Sequence, residues 1–342
     1  MIRRLIRHLR RNPLDFGTRN ALTIGAIVFA PLDRAECLPI VVDVGARNGM
    51  SLLPSSFAGR AHLIGFEPSR TEFEKLRDGR TDALAHGADI PRFKVEEYHP
   101  VAMWDQKEER TFYLTSGPNF CTLMGESVQP VADAVFLDKG PFGSFHEVHT
   151  RLLSTDKVVC DTLDNIVGNR TVDLLKLDVE GGEAKCLEGA RRLLREHRAL
   201  VIYSEFQTFP YYHNHGLLGD QQVVLNAHGY RLLDLDLGHP TYRRHASARV
   251  PKSADRRMLM AGDAIFVLDP DRTEMLPEIK QRLAAISMAL GFISFALSLL
   301  REANLNTSDE IDAIEEAASK AWTVQRIRRS WNALPSMVGS RL

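Results

Sequence analysis

Short apolar runs recur through the middle of this chain, separated by stretches with helical spacing of apolar positions. A brief apolar run bounded by turn residues is what a strand buried on both faces looks like. Ile40–Val44, His62–Phe66, Phe93–Val95, Val172–Asp178 and Leu200–Glu205 fit that description, and two later runs, Tyr230–Asp236 and Asp263–Leu268, follow them. Helical periodicity predicts helices near Arg70–Arg77, Glu183–Glu196 and Gln221–His228. Thr111–Thr115 reads as a hairpin-like strand continuing from Met103-Trp104-Asp105. Strands alternating with helices predict an α/β fold with a parallel, doubly wound sheet.

The two ends break this pattern. Met1–Arg11 carries Arg3, Arg4, Arg7, Arg10 and Arg11, with Ile2, Leu5, Ile6 and Leu9 at helical spacing. That is a short basic amphipathic helix, suited to a membrane surface, to an acidic partner, or to packing on the domain. A secretory signal is not expected, because polar residues separate the basic start from the apolar Ala21–Ala30. Toward the other end, the eighteen residues Leu283–Leu300 contain no charge. This length reaches the lower limit for a membrane-spanning helix. Ser287, Gly291, Ser294 and Ser298 place small residues four or fewer apart, as closely packed helices do. The competing reading is a helix buried at a dimer interface or against the catalytic domain. A final helix is expected over about Ser308–Trp331, with a Ser308 cap and Arg326, Arg328 and Arg329 near its end. The expected division is an N-terminal helical extension over 1–36, a cofactor-binding domain over 37–270 and a C-terminal helical region over 271–342.

Composition narrows the class. The chain has 342 residues, is 44% hydrophobic and 25% charged, and has a net charge of −1. A nucleic-acid partner is not expected at that charge. Cys37, Cys121, Cys160 and Cys186 form no close pair, so neither a metal cluster nor a disulfide framework is expected, and a cytoplasmic setting is the default. Two long stretches lack a clear period. Ser116–Thr155 is read as a substrate-binding loop over the cofactor. Gly238–Met258 is rich in His and Arg; Tyr242, Arg243, Arg244, His245 and Arg249 suit either a solvated basic loop or an anionic acceptor.

The candidate chemistry begins where the first strand ends. Asp43-Val44-Gly45-Ala46-Arg47-Asn48-Gly49 closes an apolar run with an acid and a two-glycine turn. The next strand ends in Glu67-Pro68, with Ser51–Phe57 in the crossover between them. Glycine permits a tight turn, and an acid at the next strand end can accept hydrogen bonds from both hydroxyls of a ribose. The dinucleotide fingerprint Gly-x-Gly-x-x-Gly is not met, since Arg47 stands at the middle glycine, and no phosphate-binding Gly-x-x-x-x-Gly-Lys-Ser/Thr loop occurs. A nucleoside cofactor without phosphates fits better, with S-adenosylmethionine foremost. The plain alternative is a buried strand and turn without a ligand.

Asp173-Leu-Leu-Lys176-Leu-Asp178-Val-Glu180-Gly181-Gly182-Glu183, followed by Cys186-Leu-Glu-Gly189-Ala190, resembles the signature of the FkbM-type methyltransferase family. The Asp43–Gly49 turn, Phe66-Glu67-Pro68, Val101-Ala102 and Asp161-Thr-Leu-Asp164 match further blocks of that family in the same order. The resemblance covers roughly Val41 to Leu268. Arg47 and Gly182 depart from it, standing where a small or amide residue and an alanine are usual. It implies a Rossmann-like class I methyltransferase fold and S-adenosylmethionine-dependent methyl transfer, usually to a hydroxyl oxygen. It also implies that Asp43, Gly45, Ala46, Asn48, Gly49, Glu67, Pro68 and Ala102 hold the cofactor, with Ala102 beside the adenine.

Methyl transfer to oxygen needs an aligned acceptor and a group to take its proton. Asp178, Glu180 and Glu205, at the ends of neighbouring strands, are the expected catalytic residues. Together they can act as base, bind sugar hydroxyls or hold a divalent cation; three carboxylates fall short of a full cation shell, so no metal is expected. Asp178 and Glu180 can also cap the helix that begins at Glu183. His213 and His215 rank behind the acids, and Lys176 is expected to pair with a carboxylate. The expected acceptor is a small molecule or glycan. The alternative is a non-catalytic binding or assembly protein that uses its terminal helices, 283–300 included, for membrane or homodimer contacts.

Overall fold

The computed structural model describes residues 19–33, 38–125, 146–210, 212–237 and 258–319. The basic helix at Met1–Arg11, most of the basic loop after Gly238, and the end of the last helix lie outside them, as does 126–145 of the long loop.

Among the described residues, ten strands form two sheets. The larger contains β1 (Ile40–Val44), β2 (His62–Phe66), β3 (Val95–His99), β7 (Val172–Leu177), β8 (Ala199–Gln207), β9 (Tyr230–Asp236) and β10 (Ala261–Leu268), in the order β3-β2-β1-β7-β8-β10-β9. All neighbours are parallel except β10, which runs antiparallel to both β8 and β9. This is a doubly wound, Rossmann-like sheet, as expected from the sequence. The strand order reverses between β1 and β7, and such a switch point opens a ligand crevice beyond the strand C-termini.

The central strands are apolar because both faces are covered. Val41, Val42, Leu174, Leu175, Val201 and Ile202 are buried in one continuous core. Each such side chain contributes about 1.5–3 kcal/mol by leaving water. Ile24, Val28 and Phe29 of the Arg19–Asp33 helix join that core, as do Leu283, Ile286, Leu299 and Ile314 near the other end.

The smaller sheet comprises β4 (Ala102–Met103), β5 (Glu108–Thr115) and β6 (Leu152–Asp161), ordered β4-β6-β5. It corrects the hairpin reading: β4 and β5 do not pair with each other but flank β6, parallel and antiparallel respectively. β6 gave no clear sequence signal, since six of its ten side chains are exposed and four of those, Ser154, Thr155, Asp156 and Lys157, are polar. Its presence shortens the long loop, whose described end, His146–Thr150, forms a π-helical turn.

Two helical expectations also change. The helix expected over Glu183–Glu196 divides into Glu183–Glu188 and Arg191–Arg195. Gly189 marks the break, where any Cβ would collide with the carbonyl oxygen of Trp104. The uncharged stretch Leu283–Leu300 is not one helix. Pro277–Ala289 ends at Leu290, Gly291 turns with φ +91°, and Ile293–Ala303 begins anew. The two helices pack on each other, and the first also meets β7, β8 and the Arg19–Asp33 helix. Ser287 is buried whereas Ser294 and Ser298 are exposed, so the small residues form no single stripe. Among the described residues no helix is long and apolar enough to cross a membrane.

Candidate active site

The Asp43–Gly49 turn leaves β1 at the switch point and is fixed by backbone contacts. The amides of Gly45 and Ala46 both donate to the carbonyl of Phe66, at 3.1 and 2.9 Å. Gly45 has φ +81°, and a Cβ there would collide with the carbonyl oxygen of Asp178. The glycine therefore closes the gap between the β1 and β7 ends. Asn48, at φ +71°, accepts at Oδ1 from the amide of Ala83 at 3.2 Å. Its carbonyl side is thus spent on shaping the turn. Ala46 is fully buried.

Glu67 follows β2 and is only 5% exposed. Its Oε1 accepts from the amide of Ser69, across Pro68, at 2.8 Å. Burial, the largest influence, pushes its pKa up to about 7. A carboxylate so poorly hydrated gains from added hydrogen-bond donors, which is what two ribose hydroxyls would supply. Ala102 lies in β4 and packs with Trp104, Phe112, Val158 and Cys160.

Asp178 and Glu180 sit on the turn that leaves β7, and Glu205 lies near the end of β8. Glu180 has φ +57° and Gly181 φ +98°, so the backbone reverses sharply here. One carboxylate oxygen from each of Asp178, Glu180 and Glu205 can be chosen so that all three lie within 4.8 Å of one another, and all three residues are half-buried. The sequence expectation that these acids converge is met. The helix cap, however, is Gly182 rather than either acid.

Glu183 supplies what capping the acids do not. Its carboxylate accepts from the amides of Val179, at 2.9 Å, and Gly181, at 3.1 Å. It is fully buried, and burial raises its pKa. An acid in the first helical turn that reaches back to preceding amides was the available sequence signal. Lys176 pairs as expected: its Nζ lies 3.0 Å from Asp43 Oδ1 and 3.3 Å from Asp178 Oδ2. His213 is exposed; His215 is buried against Gly181, and its Nε2 meets Gln207 Oε1 at 2.7 Å. Burial pushes the His215 pKa down to about 4, which keeps it neutral.

Arg47, noted in the sequence only as a departure, ties the Asp43–Gly49 turn to its surroundings. Its guanidinium donates to Glu72 at 2.8 Å, to Asp82 at 3.1 Å, and to Oδ1 of Asn119. Asn119 belongs to the stretch that includes the short helical turn Pro118–Phe120. The same stretch bonds to the acidic turn through Thr122 Oγ1, which donates to the Glu180 carbonyl at 2.8 Å. Tyr212 donates to the Phe120 carbonyl at 3.0 Å, completing a wall. The side chains of Thr122 and Tyr212 carried no sequence signal, because their role depends on loops remote in the chain.

A family model described as the methyltransferase FkbM domain matches residues 43–232. No curated protein matches the sequence. Among solved structures, magnesium protoporphyrin IX methyltransferase from Synechocystis PCC 6803, with bound S-adenosylmethionine, is 10% identical at TM-score 0.31, covering 72% of this chain and 78% of that one. A Streptococcus pneumoniae protein described as a putative tRNA (m1A22) methyltransferase is 12% identical at TM-score 0.31, covering 84% and 97%. CcbJ methyltransferase from Streptomyces caelestis is 10% identical at TM-score 0.28, covering 74% and 98%. Nothing about substrate follows from likenesses this distant.

Proposed function

Because the chain belongs to the FkbM methyltransferase family, we propose that it is an S-adenosylmethionine-dependent O-methyltransferase acting on a hydroxyl of a glycan or secondary metabolite. One observation carries the reading: three carboxylates converge across the switch point from the buried Glu67 and the Gly45–Gly49 turn. When bound, S-adenosylmethionine supplies an electrophilic methyl group. The chain's own residues do the rest. Glu67 accepts hydrogen bonds from the ribose hydroxyls. The Gly45–Gly49 turn walls the cofactor. Asp178 takes the proton of the acceptor hydroxyl, and Glu180 and Glu205 accept from neighbouring hydroxyls, which suits a polyhydroxylated acceptor. The non-catalytic assembly reading has no comparable support, since both acid-bearing motifs are intact and meet in space.

Asp178→Asn tests the assignment. It keeps the shape of the side chain and removes its basicity. Turnover is expected to fall roughly 10²–10⁴-fold, the usual worth of a general base, with S-adenosylhomocysteine affinity nearly unchanged. A fully active Asp178→Asn enzyme would remove Asp178 as the base.

A further inference from the structure

Lys176 occupies an expensive place. It lies inside β7, in register with Asp43 of β1 on one side and Tyr203 of β8 on the other. A lysine in the middle of a covered sheet must be paired. One carboxylate would satisfy that requirement, and Asp43, 1% exposed, provides it at 3.0 Å. The second contact, 3.3 Å to Asp178 Oδ2, exceeds what burial demands. The three groups form a line from the core to the mouth of the site, with side-chain exposures of 1%, 17% and 29%.

We infer that Lys176 is a positioning residue that acts through Asp178, holding one carboxylate oxygen so that the base is ionised and oriented before the acceptor arrives. This rests on the reading of Asp178 as the base. Asp178 is the first residue past β7, on a turn whose next residues reverse the backbone, so its short side chain gains orientation from a fixed cation. Preorganisation of this kind lowers the cost of reaching the reactive geometry. The same ammonium also grips Asp43, which leads into the cofactor turn, so one cation ties the two halves of the site together. Nucleophilic chemistry by the lysine is disfavoured. Burial works against its charge, but Asp43 and Asp178 outweigh burial and hold its pKa above the usual value.

Several acids crowd Asp178: Asp43 from β1, Glu180 and Glu183 from the following turn and helix, and Glu205 from β8. His215, packed on Gly181, stays neutral beside them. Removing the Lys176 cation should therefore be felt at Asp178.

The test reads the Asp178 carboxyl by carbon NMR in full-length protein labelled at aspartate, with the signal assigned through Asp178→Asn. In Lys176→Gln the Asp178 carboxyl is expected to titrate about 1 pH unit or more higher than in the native protein, and Lys176→Arg is expected to restore it. A lysine that merely neutralised Asp43 would move the Asp43 signal and leave Asp178 in place, and that result would overturn the inference. If Lys176→Gln does not fold, Asp43→Asn/Lys176→Gln removes the stranded charge and allows the same comparison. An unmoved Asp178 signal ends the positioning role alone; a fully active Asp178→Asn enzyme ends the base reading and takes the positioning role with it.

Discussion

Glu67 is where the cofactor account is most exposed to test at the residue scale. Its pKa of about 7 means that the folded protein holds a proton there longer than the unfolded chain does. Its contribution to stability is therefore present near pH 4.5 and is lost as pH rises toward 7. Ribose binding acts in the opposite direction, because the ionised carboxylate is the better acceptor. S-adenosylhomocysteine affinity is expected to rise between pH 6 and 8, and Glu67→Gln is expected to flatten that dependence while weakening binding about tenfold, as loss of a charged hydrogen-bond acceptor does. Titration calorimetry at several pH values checks both, and a pH-independent native affinity would count against the role. The acid cluster makes a second residue-scale prediction. Asp178, Glu180 and Glu205 are assigned to the acceptor, so methyl transfer is expected to survive EDTA. Loss of activity restored by magnesium would give the cluster to a cation instead.

At the scale of elements, the helix pair after Pro277 belongs to the core. Arg282 clamps the fully buried end of this arrangement: its guanidinium donates to both carboxylate oxygens of Asp173, at 2.8 and 2.6 Å, and Asp173 also accepts from the amide of Ile40 at 2.7 Å. Arg282→Ala leaves that carboxylate buried without its cation and is expected to cost about 3 kcal/mol, read as a lowered midpoint in urea. No change would mean that the pair contributes little to holding the helix on β7. Legibility followed burial here. β1, β2 and β9 and the Arg70–Arg77 helix carry clean local patterns, and their limits match the sequence reading. β6 escaped because six of its ten side chains face water and its partners, β4 and β5, are distant or short. The uncharged stretch at 283–300 left burial and membrane readings open, and it is buried against the domain as two helices rather than one. Hydropathy records that residues avoid water but not whether lipid or protein covers them, nor does it register that Gly291, at φ +91°, separates two helices.

At the scale of the molecule, a mostly parallel sheet with its switch point between β1 and β7 brings the strand ends that carry residues 43 to 205 side by side, where a ligand crevice opens. The acids of the site could be read in the sequence because their motifs end predicted strands. Arg47, Thr122 and Tyr212 could not, since their partners lie on other loops and only the folded chain joins them. The central claim is that this crevice holds S-adenosylmethionine against Glu67. Calorimetric titration of the purified protein with S-adenosylhomocysteine, with NAD as control, tests it most directly. The account predicts saturable binding of S-adenosylhomocysteine alone, abolished in Glu67→Ala. Absence of binding by a demonstrably folded protein, or equal binding by Glu67→Ala, would contradict it.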